Sequence, residues 1–487
     1  MRVLIVHHGA RPTKGQVATG GALRALHMAQ AMEEAGHTVR LLTREQDEDG
    51  GFSTSEDLYQ KARAWGPDRI IAIQIEDAPA LGAVGAPIAV DLYAPRVMEA
   101  AFDGSLRDTS VTTLRALAAG DVFLVSNPRQ RWLWWGLLAM AGVDVRKDPT
   151  LLIPLVAPRG PRRRTPKHPV FVAGGGSWPW QNPVPGLERV LAHLDRRGVG
   201  KVVWYGGTPT DQEAPWTLPK HPRLEQPGWV PRDALLKAYA GATAAVDWMI
   251  PNPERRLAFA FRHADYLGCG LPVLTHSDSP LADVLGEAGW ASDNIEDTLD
   301  AVLDSPDEVK RRSAAAKALA RSDFSIERAM GPLLDWVQHG QRHGHSPTDL
   351  LDLAHLAADA AAAQEGAAAA RTAQGRAEAE VEQKRHEVAG LNKQIQALTS
   401  TVDRLSRAVD EVAGFKREAI QLLGNQGAAD RLSRDEAHAE NALLRADVEK
   451  KSAELMAMDQ LRERLENDLE NLRKEVRQLQ QRGRFRR

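Results

Sequence analysis

The chain of 487 residues is longer than one ordinary domain, and its 62 Lys and Arg residues nearly balance its 65 Asp and Glu residues, giving a net charge of −3. The length predicts two α/β domains plus an extension, and the balanced charge argues against a dedicated nucleic-acid-binding protein. The single cysteine, Cys269, excludes an intrachain disulfide and is typical of a reducing compartment.

The N-terminal sequence MRVLIVHHGARP contains an apolar run of only four residues. That run is too short for the apolar segment of a signal peptide. No run of about 18 apolar residues occurs, so the sequence predicts no membrane-spanning helix. We therefore expect a cytoplasmic protein that makes at most peripheral contact with the inner face of the cell membrane.

Buried-strand patterns alternate with helical patterns through the first part of the chain. The strands read VLIVHH, HTVRLLT, RIIAIQ, PIAVDLY and DVFLVS, and Thr19 is followed by Gly20 and Gly21 where the first helix opens. Repeated strand–helix units predict a doubly wound parallel sheet in an N-terminal domain, residues 1–156. The Pro/Arg-rich sequence APRGPRRRTPKH, residues 157–168, predicts an interdomain linker.

A second α/β series occupies residues 169–340. Its strands read PVFVAGGG, KVVWYGG, AAVDWM and LPVLTH, and helical stretches separate them. This pattern predicts a second Rossmann-like domain. The last helix of the series, residues 325–340, either closes the second domain or crosses back to the first.

The C-terminal part has a different composition. Residues 341–349 are polar and turn-prone, and residues 350–487 are rich in Ala, Glu, Lys, Arg, Gln and Leu. Apolar residues then recur in alternating steps of four and three, which predicts a long α-helical coiled coil. Residues 424–427, GNQG, interrupt it, either as the turn of a hairpin within one chain or as a hinge in an intermolecular rod.

One segment combines charged residues with a clear helix-ending sequence. It reads ERRLAFAFRHADYLGCGLP from Glu254 to Pro272. Apolar residues at roughly helical spacing place Arg262 and Asp265, three apart, on one helix face. The Gly-x-Gly-Leu-Pro sequence ends this helix, and PVLTH follows as a buried strand. A carboxylate and a guanidinium beside a strand end of an α/β sheet suit the ribose and phosphates of a nucleotide.

This segment resembles the nucleotide-sugar signature of retaining GT-B glycosyltransferases. It is more similar to a family-four-like subgroup from bacterial cell-surface polysaccharide clusters, with the pattern E-x-x-x-A-F-R-T-R-x-x-D-Y-L-W-A-G-L-P. The matching residues are Glu254, Arg262, Asp265, Tyr266, Leu267, Gly270, Leu271 and Pro272. Two positions depart: Leu257 stands where the general signature has its first Glu, and Ala260 stands where the subgroup has its first Arg.

The resemblance implies the GT-B fold, which is two doubly wound Rossmann-like domains with the acceptor on the N-terminal side and the nucleotide sugar on the C-terminal side. It implies that Asp265 binds the ribose and that Arg262 carries diphosphate charge. Glu254, beside Arg255, would bind hydroxyls of the donor sugar. The alternative for Glu254, Arg255 and Arg256 is a solvated charge cluster.

Glycines follow the first strand of each predicted domain, where they let a phosphate approach the backbone amides. They are Gly20, Gly21, Gly174, Gly175 and Gly176. The second run matches a W-G-G-G-I-W-x-W pattern of the subgroup. The Arg and Lys that the wider family carries after this run are absent, because Ser177 and Asn182 stand near their places. A tight strand–helix turn is the alternative interpretation of both runs.

Asp91 ends the fourth predicted strand of the first domain, where ligands bind in open α/β sheets. The subgroup has a similar D-L-x-x-P-x-x-x-E, found here as Asp91, Leu92, Pro95 and Glu99. One of these carboxylates would orient the acceptor hydroxyl or remove its proton. We therefore predict Asp91 and Arg262 as the catalytic residues, with a helix N-cap beside an exposed Glu as the alternative for Asp91.

The sequence RQRWLWWGLLAMAG, which contains Trp132, Trp134 and Trp135, resembles the subgroup pattern R-Q-R-x-x-W-x-G-x-L. These tryptophans are interpreted either as a core helix or as a patch for a membrane surface or lipid acceptor. The histidines His339, His343 and His345 lie in the second linker without Cys or a Glu-based motif, which favours no metal site. No Asp-x-Asp motif stands in the expected place, so metal-independent transfer without a cofactor is expected.

The resemblance implies a hexosyltransferase-type enzyme that transfers a sugar from a nucleoside diphosphate sugar to a hydroxyl acceptor, with retention of configuration. The acceptor would be a glycan or a lipid-linked molecule in the synthesis of cell-surface polysaccharide or glycoconjugate. The coiled coil would pair with a second copy or with another glycan-assembly protein. Two alternatives stay open: a non-catalytic GT-B-like scaffold that recruits partners through the coiled coil, and a nucleotide-sugar epimerase.

Overall fold

The computed structural model describes residues 1–9, 19–44, 51–208, 214–342, 349–423 and 431–484. The chain forms two compact units, Met1–Ala358 and Asp359–Arg487. The first unit contains two α/β domains, and the second consists of helix. Residues 343–348 of the predicted second linker, with His343 and His345, and the predicted break at 424–427 lie outside the described residues.

The first domain is built on a parallel six-stranded sheet with the order β2-β1-β3-β4-β5-β6. Its strands are β1 (Arg2–His7), β2 (Thr38–Thr43), β3 (Arg69–Ile73), β4 (Ile88–Asp91), β5 (Val122–Val125) and β6 (Thr150–Leu152). The central strands are apolar on both faces because helices cover both sides of the sheet.

The helices of this domain follow the strands in chain order. They are α1 (Gly20–Glu34), α2 (Ser55–Trp65), α3 (Ala78–Gly82), α4 (Arg96–Asp103), α5 (Leu106–Ala119) and α6 (Pro128–Met140). Thr19 begins α1 in extended backbone geometry, and its side chain accepts a hydrogen bond from the Ala22 amide at 3.3 Å. This cap places Gly20 and Gly21 in the first turn, directly after the end of β1.

The second domain repeats the arrangement with a parallel sheet in the order β12-β11-β10-β7-β8-β9. Its strands are β7 (Val170–Gly176), β8 (Lys201–Gly207), β9 (Leu224–Gly228), β10 (Ala244–Asp247), β11 (Val273–Thr275) and β12 (Gly289–Ala291). Its helices are α7 (Val184–Arg197), α8 (Arg232–Ala240), α9 (Phe261–Gly268), α10 (Ala282–Leu285), α11 (Ile295–Asp304) and α12 (Pro306–Ser322).

The next helix, α13 (Ile326–His339), crosses back to the first domain. Its buried residues Met330, Leu333 and Trp336 share a core with Val3 and Met28 of that domain. From the sequence, this helix could either close the second domain or cross back to the first. In the structure it packs against α1 of the first domain. The chain therefore passes twice between the domains, once at residues 157–168 and once before α13.

Two long helices, α14 (Asp349–Leu423) and α15 (Arg431–Arg484), form the C-terminal extension. Glu378 and Val381 of α14 line a common space with Arg473 and Arg477 of α15. These positions lie at similar distances along the chain from residues 424–430, so the helices pair antiparallel, as in a hairpin. The predicted seam residues of α14 are half-buried, and they are Val388, Leu391, Ile395, Leu398, Val402, Leu405, Val409 and Val412.

The two parallel sheets and the helical extension confirm the predicted fold class. No helix in the described part of the chain is long and apolar enough to cross a membrane.

Candidate active site

A cavity of about 550 Å³ lies between the two α/β domains. On the first-domain side it is lined by residues at the ends of β1, β3 and β4 and at the start of α1. On the second-domain side it is lined by residues after β7 and β8 and by the α9 region. Carboxyl ends of parallel strands therefore border the cavity from both domains, which is where open α/β sheets bind ligands.

Gly175 and Gly176 bring bare backbone to this cavity beside Arg262. Gly175 has φ +141°, and a Cβ on it would lie 3.0 Å from Nη1 of Arg262. Gly174 has a different reason to be glycine, because its Cβ would lie 2.2 Å from the carbonyl oxygen of Tyr205 on the neighbouring strand. Gly174 does not line the cavity, so it is not placed for the predicted contact with the sugar donor. Gly175 and Gly176 do line it.

The Arg262 side chain is oriented by Asp247, the last residue of β10. Arg262 Nε donates to Asp247 Oδ1 at 2.7 Å, and His263 Nε2 lies 2.5 Å from Asp247 Oδ2. Burial opposes ionisation of Asp247, but the charge of Arg262, together with the contact from His263, outweighs it and holds the pKa of this carboxyl well below its usual range. The ionised carboxylate thus keeps the guanidinium beside Gly175.

Gln181 also contacts Arg262, since Nη1 of the arginine donates to Gln181 Oε1 at 3.3 Å. Gln181 lines the cavity, whereas Ser177 and Asn182 do not. Asn182 instead accepts a hydrogen bond from the Val184 amide at 3.0 Å, at the start of α7. The two positions where the wider family carries a basic pair are therefore occupied by uncharged residues here. The positive charge near Gly175 comes from Arg262 instead.

Asp265 lies one turn along α9 from Arg262, and both line the cavity, as the predicted shared face requires. Arg232 of α8 forms an ion pair with Asp265, with Nη2 to Oδ1 at 2.6 Å. Burial raises the pKa of Asp265 to about 6, and the charge of Arg232 opposes this rise only in part. Arg232 was not predicted from the sequence, because no local spacing rule connects it to α9.

Glu254 and Arg255 are buried, which rules out the solvated cluster for these two residues. Glu254 is 1% exposed, and Arg255 Nε donates to its Oε2 at 2.8 Å. Burial raises the pKa of Glu254 to about 7, with Arg255 opposing the rise and Glu99 adding to it. Arg256 alone fits the solvated interpretation, because it is exposed and pairs with Asp278 at 2.6 Å. Helix α9 begins only at Phe261, so residues 254–257 form a turn rather than helix.

Glu99 reaches the same cavity from the first domain. Arg96 Nη1 donates to Glu99 Oε2 at 2.7 Å, and both residues line the cavity. Burial raises the pKa of Glu99 despite the charge of Arg96. Glu99 and Glu254 therefore lie on opposite sides of the cleft, each with an arginine beside it.

Asp91 occupies a different place from the one its predicted role requires. It is fully buried and does not line the cavity. Arg24 of α1 holds it with two hydrogen bonds, Nε to Oδ2 at 2.5 Å and Nη2 to Oδ1 at 2.9 Å. Burial raises the pKa of Asp91, and Arg24 opposes that rise. Of the two carboxylates in the first-domain motif, Glu99 is the one that faces the cleft.

Gly20 and Gly21 border the cavity on its first-domain side. A Cβ on Gly20 would lie 2.6 Å from the Phe261 ring of the second domain, and a Cβ on Gly21 would lie 2.8 Å from the ring of His7. These two glycines therefore lie at the predicted strand–helix turn, and they also face the interdomain cleft as predicted.

Helix α6 joins the domains on one side of the cleft. Arg129 binds Asp283 of the second domain through Nε and Nη2 at 2.6 and 2.7 Å, and Asn127 Nδ2 donates to the Leu257 carbonyl at 2.7 Å. Trp134 of α6 is fully buried, as the core-helix interpretation expects, whereas Trp132 is 75% exposed. A membrane or lipid-acceptor role for the exposed tryptophan stays a prediction.

Among the described residues, no group of three or more His, Cys, Asp or Glu side chains is placed to hold a metal ion. Within the described ranges, the arginines that line the cavity are Arg96, Arg232, Arg255 and Arg262. Metal-independent chemistry stays a prediction.

Comparison with known proteins agrees with this architecture. Residues 182–335 match the model of a family described as glycosyl transferase-like. Sucrose-phosphate synthase from Thermosynechococcus elongatus has a similar structure, with 14% identity over 69% of this chain and 99% of that one, at a TM-score of 0.52. HepE from Anabaena, in complex with UDP-glucose, has 11% identity over 69% of this chain and 99% of that one, at a TM-score of 0.49.

No curated protein matches the chain. The glycosyl transferase-like match begins at residue 182, so β7 with its glycines lies outside it, and the similarity to sucrose-phosphate synthase covers 69% of the chain. Together they confirm the predicted resemblance to GT-B glycosyltransferases and the GT-B fold.

The Arg24–Asp91 pair gives a test that separates a structural role from a catalytic one. We expect Asp91→Asn to lower the free energy of unfolding by about 3–5 kcal/mol, because it leaves the Arg24 charge buried without its partner. Chemical or thermal denaturation followed by circular dichroism measures this change. The matched control is Asp278→Asn, which breaks an exposed pair and should cost less than about 1 kcal/mol. A fully stable Asp91→Asn variant that had lost turnover would contradict this assignment.

Proposed function

We propose that this chain transfers a sugar from a nucleoside diphosphate sugar to a hydroxyl acceptor. One observation carries the proposal: Arg262, oriented by the Asp247 carboxylate, lies beside the bare backbone of Gly175 and Gly176 in the interdomain cavity. A guanidinium next to glycines at the end of a strand is suited to a diphosphate. The glycosyl transferase-like match at residues 182–335 includes Arg262.

In such a transfer, the bond between the anomeric carbon and the diphosphate oxygen breaks, and the acceptor oxygen forms the new bond and gives up its proton. Negative charge grows on the departing diphosphate. Arg262 and the backbone at Gly175 and Gly176 stabilise that charge without needing to reorganise, because Asp247 already orients the guanidinium. This arrangement supports metal-independent chemistry.

The donor would extend from the diphosphate in two directions. Asp265 would accept hydrogen bonds from the ribose and would share its carboxylate with Arg232. Glu254, buried beside Arg255, would bind hydroxyls of the donor sugar. A hexosyl donor and retention of configuration follow from the resemblance alone and are part of the proposal.

On the acceptor side, the proposal assigns the carboxylate to Glu99. Glu99 lines the cavity and its pKa is raised, which suits a group that takes up a proton from an acceptor hydroxyl. The acceptor class inferred from the resemblance is a glycan or lipid-linked molecule of cell-surface polysaccharide or glycoconjugate synthesis. The cytoplasmic side of the membrane is the proposed place of reaction.

A non-catalytic scaffold is the second candidate, and one observation favours it: Asp265 is already paired with Arg232, and Leu257 replaces a carboxylate of the general signature. Mass spectrometry decides between the candidates after incubation with a panel of nucleotide sugars, first without and then with acceptors. Acceptor-dependent transfer supports the enzyme. Binding without consumption supports the scaffold, and an isomerised sugar without acceptor identifies an epimerase.

The helical extension is proposed to serve assembly, either with a second copy or with another glycan-assembly protein. The half-buried seam of α14 and α15 supports this role, since pairing within one chain leaves its apolar positions incompletely covered. A hairpin of this length offers a long surface for a further helix or helix pair.

Arg262 provides the sharpest test of the phosphate site. We expect Arg262→Ala to lower turnover at least about a hundredfold, since one oriented donor in such a site is worth ~2.7–4 kcal/mol. Steady-state kinetics with the active nucleotide sugar measures the loss. The matched control is Arg256→Ala, which removes an exposed arginine six residues away and should keep the wild-type rate. An unchanged rate in Arg262→Ala would remove the phosphate assignment.

The titration of Asp265 should make the affinity for the nucleotide sugar depend on pH. Its pKa is raised to about 6, so the carboxylate is ionised at pH 7 and becomes protonated as the pH falls through that value. The ionised form accepts hydrogen bonds from ribose better, and donor binding should therefore weaken between pH 7 and pH 5. Asp265→Asn should weaken binding roughly tenfold or more at pH 7 and should remove the step near pH 6.

Isothermal titration calorimetry with the intact nucleotide sugar measures this affinity, because the diphosphate of the sugar donor does not titrate in that range. Glu254, whose pKa is about 7, is present in both proteins and serves as the common background. Wild-type affinity and an unaltered pH profile in Asp265→Asn would refute the ribose assignment.

The extension is tested by comparing the full chain with one that ends at Ala358, the last residue of the first compact unit. Light scattering should give the full chain a mass above the 53.3 kDa of one copy, and the shortened chain the mass of a single copy. Both should bind the nucleotide sugar equally. A single-copy mass for the full chain would contradict self-assembly and direct the search to another protein.

A further inference from the structure

Three uncharged polar side chains line the first-domain side of the cavity. His7 ends β1, Gln74 follows β3, and Tyr93 lies two residues after β4. These three strands are neighbours in the sheet, so their carboxyl ends bring the side chains to one edge. None of the roles proposed above uses them.

His7 is buried in an unusual way. Its side chain is only 4% exposed, yet within the described part of the chain neither ring nitrogen makes a hydrogen bond. Buried polar groups in folded proteins almost always have a partner, and an unsatisfied one is costly. Because the ring also lines the cavity, its free nitrogens are placed to meet a ligand there.

Tyr93 approaches the same point as His7. A Cβ on Gly21 would lie 2.8 Å from Cε1 of His7 and 3.3 Å from the hydroxyl oxygen of Tyr93. Both side chains therefore border the space that the absent side chain of Gly21 leaves open. Gln74 joins them, because its Nε2 donates to the Tyr93 hydroxyl at 3.1 Å. That bond leaves the phenol hydrogen of Tyr93 available to a ligand.

The backbone holds this cluster in place. Gln74 has φ +74°, a left-handed conformation that is uncommon for a residue other than glycine, and its amide donates to the Asp91 carbonyl at 3.1 Å. The Tyr93 carbonyl accepts from Gln130 Nε2 at 2.8 Å. Such conformations persist where the surrounding structure determines them, and they concentrate at ligand sites.

The chemistry of the three groups is that of hydroxyl recognition. Burial, together with the neighbouring charge of His8, lowers the pKa of His7 to about 4 against a smaller opposite effect of Asp77. The imidazole is therefore neutral at pH 7, with one donor and one acceptor nitrogen, and a phenol and a carboxamide also do both. Phosphates and carboxylates are instead bound by arginine and lysine.

We propose that His7, Gln74 and Tyr93 hold the acceptor through hydroxyl groups of a sugar ring, so that the acceptor is a carbohydrate at the point of attachment. The proposal rests on the proposed transfer function and goes beyond it by naming the acceptor-binding residues and the acceptor class. The hydroxyls would lie in front of Gly21, facing the donor site across the cleft.

The variant His7→Leu tests the proposal, because leucine fills similar space and removes only the hydrogen-bonding capacity. The acceptor KM should rise roughly tenfold, while the Kd for the nucleotide sugar should stay within about twofold of wild type. The thermal unfolding midpoint should be equal or higher, since an unsatisfied buried group has been removed. Tyr93→Phe, which deletes one hydroxyl, should also raise the acceptor KM without weakening donor binding.

The matched control is His193→Leu in the second domain. His193 is also buried, but its Nε2 lies 2.9 Å from Asp300 Oδ1, so it already has a partner. It does not line the cavity. This variant should lower the unfolding midpoint and leave the acceptor KM unchanged, which is the reverse of the result expected for His7→Leu.

The acceptors used are methyl glycosides, disaccharides and a long-chain alkyl phosphate, with each candidate nucleotide sugar as donor. Transfer to an uncharged sugar that weakens in His7→Leu supports the proposal. Equal loss of donor affinity in that variant, an unchanged acceptor KM, or a phosphate as the best acceptor would overturn it while leaving the transfer function intact. If the wild-type protein leaves every nucleotide sugar unconsumed, the proposed function itself fails, and this inference fails with it.

Discussion

The second-domain half of the cleft depends on one buried carboxylate. Asp247 ends β10 and holds Arg262 on one oxygen and His263 on the other. Because those two partners keep Asp247 ionised, the guanidinium retains a fixed counter-charge and a fixed direction. Without this carboxylate, Arg262 would be free to move away from Gly175, and its guanidinium would no longer be oriented for a diphosphate.

The other charged residues of the cavity are also paired with a residue of opposite charge. Arg232 with Asp265, Arg255 with Glu254, and Arg96 with Glu99 place three further ion pairs along the walls, each partly shielded from water. A ligand with a diphosphate and several hydroxyls can compete for both members of such pairs. The raised pKa values of Glu254 and Asp265 show that burial already disfavours their charged forms.

The first-domain wall has a different character. Where the second domain presents Arg232, Arg255 and Arg262 with their carboxylates, the strand ends of β1, β3 and β4 present the neutral side chains of His7, Gln74 and Tyr93. The Arg96–Glu99 pair lies on the same wall as these neutral groups. The first-domain wall therefore combines groups that suit hydroxyls with one ion pair, whereas the second-domain wall is built from ion pairs.

Much of this architecture could be predicted from local patterns. The runs of apolar residues identified β1 to β5 and β7, β8, β10 and β11, because buried parallel strands are apolar on both faces. The three-residue strands β6 and β12 and the polar strand β9 carry no such signal. The α9 face was predictable from the spacing of Arg262 and Asp265, which depends only on helix geometry.

The partners of those residues were not predictable, because they come from distant segments. Asp247 and Arg232 meet α9 only through the sheet order and the packing of α8, and no local spacing encodes either contact. Asp91 shows the opposite problem. Its place at a strand end suggested the cleft, but Arg24 on α1 lies opposite it and encloses the carboxylate in a buried pair.

The diphosphate of an activated sugar is proposed to bind beside Arg262 at Gly175 and Gly176, where β7 ends. A crystal structure of the full chain with a bound nucleoside diphosphate sugar would locate it. We expect phosphate oxygens within hydrogen-bond distance of the Arg262 guanidinium and of the glycine backbone, with the sugar directed towards Gly21. A nucleotide bound outside the interdomain cavity, or with its phosphates away from Arg262, would contradict this proposal.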